Sequence, residues 1–529
     1  MTEASEFQRD MRAATAAARM GRLADARTIL ERLTRSSVND DFFHLYLDVL
    51  QAQRDWRALA VAARVWHKLK PDSARALEAQ ATAAYETGRF YEAIDLYERA
   101  LEFGVRNANR LATFGRLCLN AFEFDRAARA LDEAEALDPQ NAHMLAAKAG
   151  LHAFHGRFDA AEAYCRRSLA RDPNDVAAYR LLGQLQGGRL SPEERDRLGR
   201  LSGRPGLRIE NRITAAFALG DSLDAEGDVD GAFAAYTHAQ SLARERGSAE
   251  LLVYLPENAT RDFDALLGRF ASIPPTVPPA AAGVAKLRPI FIVGMPRSGT
   301  TLVEGVLGAH SRVHACGERM AMRRIKREYL WLADQSHPVT AEVRANFVRA
   351  YFDRLPGLGG ADHITDKNPW NFDAVGLILS LFPGAHVIHV RRNPVETGLS
   401  IFSHELPKYQ PFAQRLEHIG HFYGQYARLM SHWERLAGNR MTTIQYEEFA
   451  ADFDRAAPAL VSACGLDWEE ECRHFQHSGR VIATLSALQV RKLVTTHSGR
   501  AGRYERHLRP LVEALEAAGV DLATGAAKS

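Results

Sequence analysis

Apolar residues follow two patterns along the chain, and the change between them divides it. From about residue 6 to residue 250 the apolar positions have the spacing of amphipathic helices. After residue 288, short continuous apolar runs at 289–293, 386–390 and 441–446 each lead into a helical stretch. Such runs, alternating with helices, predict a parallel, doubly wound sheet. The sequence therefore predicts a multidomain chain, all-α at first and α/β afterwards.

The helical part repeats about every 34 residues. A turn motif, Gly-Arg-Phe-x-x-Ala or a variant of it, starts at positions 21, 54, 88, 122 and 156, so the steps are 33, 34, 34 and 34. A small turn residue lets one helix double back on the next, and alanines such as Ala93 and Ala161 let the two approach closely. A proline such as Pro139 then stops the second helix. These features resemble the tetratricopeptide repeat, a helix-turn-helix unit of 34 residues.

This resemblance implies an α-solenoid over residues 1–256. A weaker unit at 216–232 and a Gly-, Arg- and Pro-rich stretch near 187–206 have the composition of degraded repeats. The concave groove of a solenoid usually binds a protein or peptide partner, and an acceptor substrate of the second domain is one candidate for that partner. Packing against the second domain, or against another copy in a homo-oligomer, is the open alternative. A Pro-rich linker is expected at 257–288, followed by the second domain at 289–529.

Composition excludes several classes of protein. The chain has 529 residues, 46% hydrophobic and 25% charged, as in an ordinary globular protein. Its formal charge of +2 supplies no bulk field for nucleic acid or an anionic membrane, so an anion site has to be local. Its start lacks the basic region and apolar core of a secretory signal. Five unpatterned cysteines favour a reducing compartment, and we expect a cytoplasmic protein without a metal.

The most informative segment is 290–301. An apolar strand runs into Gly-Met-Pro-Arg-Ser-Gly-Thr-Thr, and a helix with an apolar stripe follows. The backbone N–H groups of such a turn, together with the positive end of the helix, form a cradle for an anion. The candidate ligands of that anion are Pro296, Arg297, Ser298, Gly299, Thr300 and Thr301.

The loop departs from that of a nucleoside triphosphatase at one position. Gly294 and Gly299 have the Walker spacing, but Thr300 stands where the lysine belongs. A triphosphatase needs that lysine on the β- and γ-phosphates. The hydroxyls of the loop and the Arg297 guanidinium could instead hold a 5′-phosphosulfate without a metal. The loop resembles the 5′-phosphosulfate loop of sulfotransferases that use 3′-phosphoadenosine-5′-phosphosulfate.

A second anion site is expected at the end of the strand at 386–390. Such sulfotransferases bind the donor's 3′-phosphate with an arginine at a strand end and a serine eight residues later, and Arg392 and Ser400 have this spacing. Asn393 can cap the following helix, and Pro394 suits its first turn. Ser400 then lies two turns along the same face as Asn393, so it could meet Arg392 on one phosphate.

The resemblance covers residues 289 to about 510 and is nearest to the tyrosylprotein sulfotransferases and their bacterial relatives, which often carry tetratricopeptide repeats. It implies a P-loop-like fold. Glu318 lies where that group has its catalytic glutamate, and Lys367 lies in a segment like the one bearing its catalytic lysine. The resemblance also implies a late basic loop over the donor phosphates; here that loop includes Arg491, Lys492 and Ser498 and makes Arg503 and Tyr504 candidate donor contacts.

Sulfuryl transfer requires these groups, because an in-line attack builds charge on the leaving oxygen. We assign Glu318 as the base that takes the acceptor hydroxyl's proton, and Lys367 and Arg297 as the cations that stabilise the developing charge. The resemblance favours a peptide tyrosine as acceptor, while a sugar, lipid or small metabolite stays open. The rival interpretations are a repeat scaffold with a non-catalytic nucleotide-binding domain and a Mg²⁺-dependent nucleotide kinase.

Overall fold

A computed structural model of the protein describes residues 3–34, 39–274, 287–335, 337, 339–353, 355, 360–477 and 499–528. The chain divides into two compact units, residues 1–153 with 158–178 and residues 154–157 with 179–529. Residues 275–286, twelve of the thirty-two residues of the linker predicted at 257–288, lie outside the described residues. The domain boundaries drawn from the sequence at 256 and 289 remain predictions.

The first unit is helical. Its helices, taken up to the one that ends at Arg171, are α1 (Glu3–Arg19), α2 (Leu23–Leu33), α3 (Asp40–Ala52), α4 (Trp56–Leu69), α5 (Ala74–Glu86), α6 (Phe90–Phe103), α7 (Ala108–Asn120), α8 (Phe124–Leu137), α9 (Ala142–Phe154) and α10 (Phe158–Arg171). Consecutive helices pack as pairs, for example α5 with α6 and α7 with α8. Alanines that were predicted to permit close approach, among them Ala93 and Ala161, are fully buried.

The turns between paired helices share one backbone conformation. At every predicted turn position φ is positive, between 59° and 77°; the positions are Gly21, Arg54, Gly88, Phe122 and Gly156. Glycine adopts this left-handed region without strain, whereas a residue with a Cβ is disfavoured there by about 1–2 kcal/mol. Arg54 and Phe122 nevertheless adopt it, because the packing of the flanking helices determines the turn. The period of 34 residues thus reflects a repeated backbone geometry.

The second unit begins with further helices, α11 (Val176–Leu185), α12 (Pro192–Gly203), α13 (Ile209–Glu226), α14 (Val229–Ala249) and α15 (Pro256–Arg269). The stretch predicted to be a degraded repeat is therefore a turn and a helix, with positive φ at Gly187 and Gly188. Nowhere in the described ranges is a helix both long and apolar enough to cross a membrane.

The rest of the second unit alternates strands and helices. The strands are β1 (Arg288–Gly294), β2 (Val313–Ala315), β3 (His363–Asp366), β4 (His386–Arg391) and β5 (Met441–Gln445). The helices are α16 (Thr300–Gly308), α17 (Ala321–Asp334), α18 (Ala341–Phe352), α19 (Val375–Leu381), α20 (Pro394–Phe402), α21 (Leu416–Ala437), α22 (Tyr446–Ala451), α23 (Phe453–Ala463), α24 (Arg500–Arg503) and α25 (Glu505–Ala517).

The strands form one parallel sheet in the order β2-β3-β1-β4-β5. Alternate residues of β1 enter different apolar clusters: Ile292 packs with α16 and α23, and Phe291 packs with α18, α19 and α21. Both faces of the sheet are therefore covered by helices, which explains the near-continuous apolar sequence of its central strands. The predicted α/β fold of the second domain is confirmed.

Helices α13, α14 and α15 share the core of the sheet. Phe217, Tyr236 and Phe263 belong to the same buried cluster as Phe291 and Trp433. Although α13 and α14 lie in the part of the chain predicted to form repeats, they are thus packed, with α15, as part of the α/β unit. This packing places residues of α13 and α14 within reach of the edge of the sheet at which the carboxyl ends of the strands lie.

Candidate active site

The site residues predicted from the sequence lie at one edge of the sheet. Because the strands are parallel, their carboxyl ends meet there. The phosphate loop follows β1, Glu318 follows β2, Lys367 follows β3 and Arg392 follows β4. Strands β1 and β4 are neighbours, but the chain continues from them to opposite edges, to β2 and to β5. Open α/β sheets bind their ligands at such a switch point.

The loop after β1 is packed too closely for side chains at its two glycines. A Cβ on Gly294 would lie 2.5 Å from the Val390 carbonyl oxygen, and one on Gly299 would lie 2.3 Å from the Tyr446 ring. Between them Arg297 has φ 71°, and Gly299 has φ 102° at the residue before α16. Strand, tight turn and helix start therefore follow one another as in loops that bind phosphate through backbone N–H groups.

The hydroxyl residues of this loop are buried around it. Pro296, Ser298, Thr300 and Thr301 are all buried. The Ser298 hydroxyl has no hydrogen-bond partner among the described residues. A buried hydroxyl without a partner costs free energy, about 1–3 kcal/mol, unless a ligand or solvent supplies one. The loop thus offers a donor at the position where the sequence predicts an anion.

The structure brings the two predicted anion sites together. Arg297 donates from Nε to Ser400 Oγ at 3.2 Å, although 103 residues separate them. Its carbonyl oxygen accepts from Arg392 Nη1, also at 3.2 Å. The Arg392 guanidinium lies over the Tyr446 ring at 4.8 Å, and its buried Nε has no partner among the described residues. Both arginines therefore share one cleft at the ends of β1 and β4.

Positive charge is concentrated in this cleft. Burial and the positive charges of Arg392 and Arg500 together lower the pKa of Arg297 to about 10. Burial, together with the positive charges of Arg297, Arg500 and Arg180, holds the pKa of His404 well below its usual range. His404 Nδ1 lies 2.7 Å from the Ser400 carbonyl oxygen and therefore donates to it, which leaves Nε2 to accept from Arg297 at 3.1 Å. A bound anion would offset this repulsion.

The two predicted catalytic residues form an ion pair. Lys367 Nζ donates to Glu318 Oε1 at 2.7 Å; the lysine side chain is fully buried, whereas the glutamate side chain is 33% exposed. The backbone joins the same two segments, because Lys367 N donates to the Gly317 carbonyl oxygen at 3.0 Å. The ends of β2 and β3 thus hold a carboxylate that solvent can reach against a lysine that it cannot.

Glu304, on the helix that follows the phosphate loop, connects these segments to α16. Its buried carboxylate accepts from the Gly317 backbone N–H at 3.0 Å and from the Thr365 hydroxyl at 2.7 Å. Burial raises the pKa of Glu304, and the charge of Lys367 opposes that shift. The backbone at Gly317, which precedes Glu318, is therefore held in place by a residue of α16, the helix that follows the phosphate loop.

Asp366, at the end of β3, should make stability depend on pH. Its fully buried carboxylate accepts from the Tyr351 hydroxyl and the Asn371 amide, and burial raises its pKa to about 7. Because this pKa is raised, its contribution to stability is complete below about pH 4 and is lost as the pH rises through 7, at a cost of roughly 4 kcal/mol. Thermal midpoints measured from pH 4.5 to 8 should fall with pH in the wild type and fall less in Asp366→Asn.

The control for this prediction has the opposite sign. Hydrogen bonds from Arg312 and His363 hold the pKa of Asp362 below its usual range, so its contribution is lost as the pH falls. Asp362→Asn should therefore leave the decline between pH 4.5 and 8 intact. An equal decline in wild type and Asp366→Asn would contradict the assignment to Asp366.

The late basic segment is only partly placed where the sequence predicts. Arg491, Lys492 and Ser498 lie outside the described residues. Arg503 and Tyr504 both donate to Asp224 on α13, at 3.0 and 2.7 Å, and their described hydrogen bonds do not reach the phosphate loop.

Arg500 is the member of that segment whose charge acts on Arg297 and His404. Arg500 was not among the residues predicted from the sequence. Neither was His404, which lies one turn beyond Ser400, nor Tyr446, whose ring packs against Gly299 and Arg392. The spacing from Ser400 was the one sequence signal for His404, since four residues make one helical turn.

Comparison with known proteins supports both parts of the prediction. Residues 289–470 match the family model described as the sulfotransferase family, and residues 119–185 match a tetratricopeptide repeat model. The resemblance stated from the sequence, repeats joined to a sulfotransferase domain, is thereby confirmed. The repeat match continues beyond residue 178 into the second compact unit.

Two relatives and one solved structure illustrate the likeness. An uncharacterised protein of Aquifex aeolicus (strain VF5) is 30% identical over 340 residues, which cover 59% of this chain and 42% of that protein. Protein-tyrosine sulfotransferase A of Caenorhabditis elegans is 32% identical over 127 residues, 22% of this chain and 33% of that protein. The sulfotransferase domain of the Synechococcus PCC 7002 olefin synthase is 16% identical with a TM-score of 0.30, covering 45% of this chain and 95% of that domain. The chain spans less than half the length of these two relatives.

Proposed function

We propose that the second unit transfers a sulfuryl group from 3′-phosphoadenosine-5′-phosphosulfate to a hydroxyl acceptor. The observation that carries this proposal is the direct contact of Arg297 with Ser400 and Arg392 in a cleft rich in positive charge. This donor has an anionic group at each end of its adenosine, so it can satisfy two neighbouring anion sites. The match of residues 289–470 to the sulfotransferase family supports the same chemistry.

The loop and the second site would divide the donor between them. The 5′-phosphosulfate is proposed to bind the loop after β1 through the predicted residues Pro296, Arg297, Ser298, Gly299, Thr300 and Thr301. The 3′-phosphate is proposed to bind Arg392 and Ser400. The Ser298 hydroxyl and Arg392 Nε, which have no hydrogen-bond partner among the described residues, are the groups that these anions would satisfy.

Glu318 is proposed as the general base. Its partly exposed carboxylate takes the proton of the acceptor hydroxyl as that oxygen forms a bond to sulfur. The bond between sulfur and the 5′-phosphate oxygen breaks at the same centre, and the electron pair leaves with the phosphate. Buried Lys367 and Arg297 are the cations available to stabilise the negative charge that develops there.

For the acceptor we propose a peptide tyrosine. The likeness to the protein-tyrosine sulfotransferase of Caenorhabditis elegans supports a phenol, and the partial exposure of Glu318 allows a hydroxyl to approach from solvent. The repeats in the first unit are proposed to bind a protein or peptide that carries this tyrosine. A cytoplasmic location stays a prediction from the sequence.

A binding measurement tests the donor. By calorimetry, the desulfated product 3′-phosphoadenosine-5′-phosphate should bind at least about tenfold more tightly than adenosine monophosphate, because a second phosphate adds charge-assisted hydrogen bonds. The measurement is repeated in a metal chelator to separate this enzyme from a Mg²⁺-dependent kinase. Equal affinities for the two nucleotides would refute the proposed donor.

A turnover measurement distinguishes the proposed enzyme from a repeat scaffold with a non-catalytic nucleotide-binding domain. Incubation with radiolabelled donor and a host lysate should transfer label to protein. Donor binding without transfer to protein, glycan or lipid would support the repeat scaffold with a non-catalytic nucleotide-binding domain. Label that enters glycan or lipid would retain the sulfotransferase and overturn the tyrosine acceptor.

A further inference from the structure

We propose that Asp224, on helix α13, is a positioning residue of the donor site. It holds Arg500 so that this guanidinium adds its charge beside Arg297 and His404. This inference rests on the proposed function. It assigns to the helical pair α13–α14 a role in binding the donor, in addition to any role as repeats.

The Asp224 carboxylate is the meeting point of the C-terminal basic segment. Its Oδ2 accepts from Arg500 Nε at 3.1 Å, and its Oδ1 accepts from Arg503 Nη2 at 3.0 Å and from the Tyr504 hydroxyl at 2.7 Å. The carboxylate is only 16% exposed. Three donors from one segment therefore converge on a single acidic side chain of α13.

The position of Asp224 in its helix is unfavourable by itself. It lies in the last turn of α13, which ends at Glu226, and a carboxylate at a helix C-terminus is opposed by the helix dipole. The local cost is offset by the cations that it binds. The presence of an aspartate at position 224 is thus explained by its contacts with α24 and with Tyr504, and not by the helix on which it lies.

The other N–H groups of Arg500 orient its side chain towards the site proposed for the sulfuryl donor. Nη1 donates to Ser403 Oγ at 2.9 Å, and Nη2 donates to the Tyr236 hydroxyl at 3.3 Å. Ser403 is the residue after α20 and directly precedes His404. The backbone is held as well, since Glu396 Oε1 accepts from Gly499 N at 2.8 Å and from Ala501 N at 2.9 Å. Arg500 is therefore oriented from both α13–α14 and α20.

The charge of Arg500 reaches the residues proposed to hold the donor. It lowers the pKa of Arg297 and of His404, which places it within the same field of positive charge. Like charges repel, so Arg500 would turn towards solvent if no acidic group held it. Asp224 offsets that repulsion, and Asp221 supports it through a hydrogen bond from the Tyr236 hydroxyl at 3.0 Å.

Helices α11 and α13 make a second contact with the segment that carries Ser400 and His404. Glu405, next to His404, forms an ion pair with Arg180 of α11 and accepts from the Thr214 hydroxyl of α13 at 3.0 Å. The end of the segment that carries Ser400 and His404 is thus held by α11 and α13. Arg180 also lowers the pKa of His404, so the helices add positive charge as well as holding the site in place.

Calorimetry with 3′-phosphoadenosine-5′-phosphate on the full chain tests Asp224. Asp224→Asn should weaken binding about tenfold, because Arg500 loses the charge-assisted hydrogen bond that orients it. The matched control is Asp230→Asn on α14, since Asp230 also pairs with the C-terminal region, at Arg506 and His507, but is exposed. The control should change affinity less than twofold.

A double variant separates positioning from a structural role. Arg500→Ala should weaken binding to a similar extent, and Asp224→Asn combined with Arg500→Ala should be no weaker than Arg500→Ala alone. Losses that multiply, or a wild-type affinity in Asp224→Asn, would overturn the inference. If Asp224→Asn does not fold, Arg500→Ala decides alone, and wild-type affinity in that variant would overturn the inference.

The wild type distinguishes this inference from the function on which it rests. No binding of 3′-phosphoadenosine-5′-phosphate by the wild type would refute the proposed donor. Tight binding by the wild type with equal binding by Asp224→Asn would refute only the role of Asp224.

Discussion

Replacing Glu318 by glutamine should reduce sulfuryl transfer about a thousandfold and change donor affinity less than twofold. A general base contributes typically 10²–10⁴ to the rate, and glutamine keeps the shape of the side chain but cannot accept the proton. Glu318 contacts Lys367 and lies at the end of β2, while the proposed donor residues follow β1 and β4. Single-turnover rates with radiolabelled donor, and calorimetry with 3′-phosphoadenosine-5′-phosphate, give the two quantities separately.

Asp373→Asn is a suitable control for this variant. Asp373 also pairs with a lysine, Lys326, at 2.6 Å, and its side chain is 31% exposed, close to the 33% of Glu318. Loss of this ion pair should leave the transfer rate within about a factor of two, since neither Asp373 nor Lys326 is among the residues proposed to bind the donor or to act in transfer. Transfer by Glu318→Gln at more than a tenth of the wild-type rate would exclude Glu318 as the base.

The positions of the main site residues could be predicted because each lies close to a strand end in sequence. The loop after β1 and the pair Arg392 and Ser400 are local patterns, readable as strand, turn and helix. A parallel sheet then brings such patterns to one edge, whatever their separation along the chain. The ion pair of Glu318 with Lys367 follows from the same rule, since β2 and β3 are neighbours.

Contacts between distant side chains could not be predicted in this way. The hydrogen bond from Arg297 to Ser400 depends on a rotamer and on the adjacency of β1 and β4, neither of which the sequence pattern specifies. Arg503 and Tyr504 are candidates because the family resemblance implies a late basic loop over the donor phosphates. Arg503 ends the short helix α24 and Tyr504 follows it, so the direction of each side chain depends on its tertiary partner, which for both is Asp224.

The repeats, too, could be predicted from the sequence in their local features but not in their tertiary packing. The turn positions, including Arg54 and Phe122, could be found from their spacing because every pair of helices needs the same turn. The sequence does not show where the repeats stop behaving as a separate solenoid. Helices α13 to α15 continue the run of helices along the chain, but their buried apolar residues pack into the core of the sheet. Only the packing reveals that they belong to the second unit.

Arg392→Ala should weaken binding of 3′-phosphoadenosine-5′-phosphate by about two orders of magnitude and leave adenosine monophosphate affinity within about twofold. Arg392 is proposed to hold the 3′-phosphate, which only the first ligand carries, and a buried charge-assisted contact is worth about 1.5–3 kcal/mol. The two ligands should then bind with similar affinity. Calorimetry at several salt concentrations measures both affinities and their dependence on charge.

The neighbouring residue provides the control. Arg391 lies at the end of the same strand, but successive side chains of a strand point to opposite faces. It donates to Gln445 Oε1 at 3.2 Å, whereas Arg392 contacts Arg297 and Tyr446. Arg391→Ala should therefore retain the preference for the bisphosphate, although it removes the same charge one residue away. Equal losses in the two variants would mean that net charge near the cleft, and not a 3′-phosphate site at Arg392, determines binding.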